Sequence, residues 1–141
     1  FMAETAVALG GYAAELQTFK EVTTGSSSDL KQATNMAHRL VTKYGMSGAL
    51  GPRTFGNTQE LIFLGREMTT EKNYSEQIAT QIDAEIDAFI KKAFEAAKKA
   101  VATYKDALGE IAKVLMEKES LEQEEFYKII KNFNIKPKTL S

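Results

Sequence analysis

"SEQIATQIDAEIDAFIKKAFEAAKKAVATYKDALGEIAKVL", Ser75 to Leu115, is the stretch whose reading decides the fold. Ile78, Ile82, Ile86, Phe89 or Ile90, Ala93, Ala97, Val101, Tyr104, Leu108, Ile111 and Leu115 recur at spacings of three and four. That period places them on one face of an α-helix. Acids come early (Glu76, Asp83, Glu85, Asp87) and lysines later (Lys91, Lys92, Lys98, Lys99), an order that complements the helix dipole. A single helix of this length is unusual in a globular protein, so a break is expected near Tyr104 to Asp106. Asn73 or Ser75 is expected to cap the start, and Asn73 with Glu76 has capping-box spacing.

Working outward, two more helices are predicted upstream. Leu30, Ala33, Ala37, Leu40, Val41 and Tyr44 form one stripe, and Gly45 supplies a left-handed stop. Met2 to Phe19 is rich in alanine, helical in tendency and interrupted at Gly10-Gly11. Ala3, Ala6, Val7, Ala13, Ala14 and Leu16 would give it a small-residue face suited to close approach by another element. From Gly45 to Asn73 the chain reads as loop, with at most a short strand or hairpin around 61–64. Downstream, Ser120 and Gln123 have capping-box spacing before a last helix, "EQEEFYKIIKN". The expected fold is an all-α bundle of four to five helices in one domain over 1–135, with a loose tail at 136–141.

Composition narrows the function classes. The chain has 141 residues, 43% hydrophobic and 26% charged, with a formal net charge of −1. No global field draws it to nucleic acid or to an anionic membrane, so neither is expected as a partner. There is no cysteine, hence no disulfide framework. No run of these residues is long and apolar enough to span a bilayer.

Recognisable chemistry is sparse. The single histidine, His38, stands beside Ala37 at the edge of its helix's apolar face and reads as a plain structural or surface residue. No pair of imidazoles exists to hold zinc. Neither a phosphate-binding glycine loop with its lysine nor a nucleophile elbow occurs. Asp83, Glu85 and Asp87 read as a solvated helix face, and Phe89, Phe94 and Tyr104 as core. In "EVTTGSSSDLKQAT", Glu21 to Thr34, Ser26 and Asp29 stand at Ser-x-x-Asp spacing. Ser26 is therefore expected to cap the following helix, with Asp29 reaching back at its positive end.

The phrases "ALGGYAAE", "EVTTGSSSDLKQAT", "LVTKYGMS", "LGP", "FLGRE", "YSEQIATQIDAEI" and "LMEKESLEQEEF" occur in this order from Ala8 to Phe126. Together they resemble the FtsH family of membrane-anchored, ATP-dependent zinc metalloproteases, in the C-terminal, mostly helical part of the peptidase domain. In that family two histidines of a His-Glu-x-x-His helix and one later aspartate hold the zinc. The aspartate lies in a Thr-Thr-Gly-x-x-x-Asp-Leu phrase, here Thr23 to Leu30, which makes Asp29 the implied third ligand. Glu15 matches an acid after the Gly-Gly pair and is given a supporting role. The resemblance further implies polypeptide substrates, a homo-hexamer, and the cytoplasmic, matrix or stromal face of a membrane.

The departures carry weight too. No His-Glu-x-x-His, ATPase motif or membrane segment occurs in these residues. The chain therefore reads as a fragment, expected to be inactive alone and to bind no zinc tightly. The family usually shows Gly-Gly-Arg-Ala-Ala-Glu-Glu, an apolar pair and Phe-Gly. Here Tyr12, Leu16, Gln17, Thr18 and Lys20 differ, through redesign of a surface or natural drift. The helix that holds them would face the missing half, so Met2–Phe19 is expected to be the least protected segment. The alternative is a non-catalytic structural or interaction module. A third reading has a separate chain supply the His-Glu-x-x-His helix.

Overall fold

A computed structural model of the chain describes residues 1–59, 69–71 and 73–136. Six α-helices appear among them: α1 (Met2–Ala8), α2 (Gly10–Phe19), α3 (Ser27–Thr42), α4 (Glu76–Thr103), α5 (Lys105–Lys118) and α6 (Gln123–Asn132). This is the expected all-α architecture: the long run breaks at Tyr104 as its length predicts, and a further break at Leu9 divides the first helical segment into α1 and α2. Two three-residue strands, β1 (Asn57–Gln59) and β2 (Thr69–Glu71), pair antiparallel with Thr58 opposite Thr70. The strand expected at 61–64 lies outside the described residues, as does the tail from 137 onward.

The chain forms two compact units, Phe1–Lys98 and Lys99–Ser141, divided within α4. In the first unit the core is built on α3. Ala33, Ala37, Leu40 and Val41 are buried, the stripe that the spacing predicts. Val41 packs with Phe55 and Ile82, and Tyr74, Ile78 and Ile86 close around them. Helix α3 stops at Thr42, three residues before Gly45, which does adopt the left-handed conformation (φ +62°). Tyr44 is consequently exposed and stacks on Phe1, with ring centroids 5.7 Å apart.

The small-residue face expected of the first helices is met at Ala13 and corrected elsewhere. The buried positions are Thr5, Leu9 and Ala13, at steps of four, while Val7 of the proposed face is 80% exposed. Helix α1 also has a partner, since it packs on α3. The Thr5 hydroxyl, fully buried, donates to the Phe1 carbonyl at 2.9 Å and lies 3.1 Å from Met36 Sδ. Thr5 and Ala13 are small at these buried positions, and Leu9 fills the space between them.

Capping differs from the spacing in informative ways. Ser75 Oγ accepts from the Ile78 N–H at 3.2 Å and caps α4. Asn73 instead accepts from the Gly56 N–H at 2.7 Å, tying the loop after Phe55 to the start of α4. At Ser47, buried within the first unit, the hydroxyl donates to Glu85 Oε2 at 2.8 Å. That carboxylate is thus no solvated bystander on α4.

In the second unit α5 packs against α6. Ala107 and Ile130 are buried. The capping box expected at Ser120 and Gln123 does not form. Glu122 is the N-cap residue of α6, without a side-chain cap, and Gln123 donates instead to Tyr127 at 3.5 Å. Lys118 and Glu125 join the two helices by an ion pair of 2.9 Å. Each depends on the other for its shift: the hydrogen bond to Lys118 lowers the Glu125 pKa, and the bond to Glu125 raises that of Lys118.

Candidate metal-ligand turn

The turn between α2 and α3 brings Glu15, Thr23, Gly25, Ser26 and Asp29 into one neighbourhood. Helix α2 ends at Phe19, and its C-cap, Lys20, takes a left-handed conformation (φ 58°) that reverses the chain. Residues 21–23 return it toward Glu15. A single turn of 3₁₀-helix, Thr24–Ser26, then feeds α3.

Glu15 holds this return. Its Oε2 accepts from the Thr23 N–H at 3.1 Å and its Oε1 from the Thr23 hydroxyl at 2.9 Å. The Ser26 hydroxyl lies 3.5 Å from Oε2. These donors favour the ionised carboxylate and lower the Glu15 pKa below its usual value, the Thr23 backbone N–H contributing most and desolvation opposing. Thr23 works twice, since its Oγ1 also accepts from the Gly25 N–H at 3.2 Å and caps the 3₁₀ turn.

Ser26 is the N-cap residue of α3 by position, but the expectation that its side chain caps the helix is corrected. It makes no side-chain cap bond; its hydroxyl lies 3.4 Å from the Thr23 carbonyl, turned back into the turn. The cause is backbone conformation. A capping serine sits in extended geometry. Ser26 leaves a 3₁₀ turn at φ −89°, ψ 4°, which aims its oxygen away from the first amides of α3.

Asp29 lies in the first turn of α3, partly exposed. Its Oδ2 is 3.4 Å from where a Cβ at Gly11 would stand. Gly25 faces the other acid in the same way, its would-be Cβ 3.5 Å from Glu15 Oε1 and 3.2 Å from Thr23 Oγ1. Two glycines thus leave room for two carboxylates. Neither Gly11 nor Thr23 was singled out by sequence reasoning. Thr23-Thr24-Gly25 did carry a signal, a hydroxyl two residues before an amide that it can cap.

A zinc site needs three protein ligands and one open position. Among the described residues no three His, Cys, Asp or Glu side chains lie close enough together to hold a metal ion. Asp29 offers a single carboxylate, carried in the first turn of α3. The remaining donors are not supplied by these residues. His38 is exposed on α3, a surface residue, and the Thr42 hydroxyl donates to its carbonyl at 2.6 Å.

Residues 1–129 match peptidase family M41. The chain belongs to that family. It is 46% identical over 129 residues to the ATP-dependent zinc metalloprotease FtsH of Caldicellulosiruptor bescii, covering 92% of this chain and 21% of that protein. The proteins of the same name from Pseudothermotoga lettingae (46% over 123 residues, 87% and 20%) and Chloroflexus aggregans (44% over 142 residues, 99% and 21%) are similar. The chain spans about a fifth of the length of these curated relatives. No described helix is long and apolar enough to cross a membrane.

Proposed function

We propose that this chain supplies one side of an M41-type zinc peptidase centre, with Asp29 as the third zinc ligand. Two histidines and a glutamate base would come from a His-Glu-x-x-His helix outside these residues, in the same protein or another chain. A zinc ion bound there would supply Lewis-acid chemistry, lowering the pKa of water at its open position. Asp29 gives a carboxylate oxygen from a helix start, Glu15 holds the turn that carries it, and Gly11 keeps the space beside it open. Glu15 is thus a positioning residue rather than a ligand. On this reading the substrates are polypeptides, the working assembly is a homo-hexamer at the cytoplasmic, matrix or stromal side of a membrane, and the chain alone neither hydrolyses peptides nor binds zinc tightly.

One observation carries the reading: the Asp29 carboxylate lies flush with Gly11, in a turn that Glu15 fastens through both donors of Thr23. A chimera tests it, with this chain replacing the matching residues of the Caldicellulosiruptor bescii relative. Casein degradation should survive in the chimera and vanish in its Asp29→Asn variant, with ATP hydrolysis largely kept. Casein turnover near the unsubstituted rate in that variant would remove Asp29 from the zinc.

A further inference from the structure

A trough of about 770 Å³ runs along the outer side of α3, from Ser28 to Lys43, and ends against Phe55 and Gly56. Lys31, Arg39 and Lys43 line it, Gln32 and Asn35 stand among them, and no acidic residue does among the described residues. The charge is a property of the whole segment: residues 30–59 contain Lys31, Arg39, Lys43 and Arg53 and not one Asp or Glu. In a chain of net charge −1 this is a local excess. One end of the trough, at Ser28, is the neighbour of Asp29.

We infer that this trough binds an extended, acidic polypeptide segment. Its chemistry selects that occupant. Three cations spread over one trough favour carboxylates, while the Gln32 and Asn35 amides can donate to and accept from a peptide backbone. Spacing sets a pattern. At about 1.5 Å per residue, Lys31 and Arg39 stand about 12 Å apart along α3 and Arg39 and Lys43 about 6 Å. An extended peptide covers these distances in about 3.5 and 2 residues. The matching sequence is Glu-x-x-Glu-x-Glu. That the bound segment is led toward a reaction centre rests on the peptidase reading of Asp29; the binding itself does not.

The test uses the whole chain and a fluorescein-labelled peptide of that pattern, followed by anisotropy. Saturable binding is expected below about 1 mM, weakening several-fold as salt screens the contacts. Lys31→Glu with Arg39→Glu should weaken it at least about tenfold. Lys91→Glu with Lys99→Glu makes the same change in net charge on α4 and should leave it within about twofold. Bound peptide should also shield Lys31 and Lys43 of the unsubstituted chain from acetylation while Lys91 and Lys99 label as before, a readout that needs no variant to fold. Equal losses from both charge reversals, or no shielding, would overturn the inference. So would self-association in sedimentation that disappears on changing Glu119, Glu122 and Glu124 to Gln, since those acids repeat the pattern and a second copy would then fill the trough. Missing peptide binding beside a chimera that needs Asp29 would sink this inference alone; peptide binding beside an indifferent Asp29 would sink the peptidase reading alone.

Discussion

Thr23 gives both of its donors to one carboxylate: its N–H lies 3.1 Å from Glu15 Oε2 and its hydroxyl 2.9 Å from Oε1. Eight residues apart in sequence, the two close the loop between α2 and α3. They fix where α3 begins, and so where Asp29 stands.

This pairing makes the turn sensitive to acid. Folding lowers the Glu15 pKa from the usual value of 4.5, chiefly through the Thr23 N–H. A depressed acid contributes stability that is fully present above its unfolded pKa and is lost as pH falls through the folded one. Carbon-detected NMR titration of the Glu15 carboxyl should give a midpoint below 4.5. In Thr23→Val, which removes the second donor, that midpoint should move upward. An unchanged midpoint would show that the hydroxyl contact is not held in solution.

Lys20 offers a second measurement. It occupies the C-cap of α2 at φ 58°, where a side chain is strained and glycine is not. Lys20→Gly should raise the unfolding free energy by about 1 kcal/mol, read from urea denaturation at constant slope. A loss of stability would mean that the lysine makes compensating contacts.

Asp29 and Gly11 separate stability from ligation. In the isolated chain Asp29→Asn should remain folded and lose no more than about 1 kcal/mol, the worth of an acid in a first helical turn. Gly11→Ala should stabilise α2 by up to about 1 kcal/mol, since its Cβ would meet only Asp29 Oδ2. In the zinc-loaded chimera the same alanine should weaken metal retention against a chelator, because it crowds the carboxylate. Unchanged retention would show that Gly11 does not keep space for Asp29.

The core of the first unit makes the firmest stability prediction. Ile82 is 3% exposed and packs on Val41 and Phe55. Ile82→Ala should cost about 2–4 kcal/mol, the transfer of the lost methylenes plus the cavity left behind. Ser47→Ala should cost about 1–2 kcal/mol, because it strips a buried donor from the Glu85 carboxylate. Thermal unfolding by calorimetry measures both, and a Ser47→Ala change within error of zero would place Glu85 in water.

The sequence by itself determined the helices and the core stripe of α3. Periodicity of apolar side chains is a local property, so Ala33, Ala37, Leu40 and Val41 declare their face without knowing what covers it. The break at Tyr104 was legible from length, and the Asp29 phrase from resemblance. Tertiary structure alone decided what each polar side chain bonds to. Ser26 has the right spacing to cap α3, but a 3₁₀ turn rotates its hydroxyl away. Asn73 has the spacing to cap α4 and is taken by Gly56 instead. Thr5, a polar residue, is fully buried because α1 meets α3 at that point. A hydrogen bond depends on ångström distances and angles between groups far apart in the chain, and spacing along one segment does not encode them.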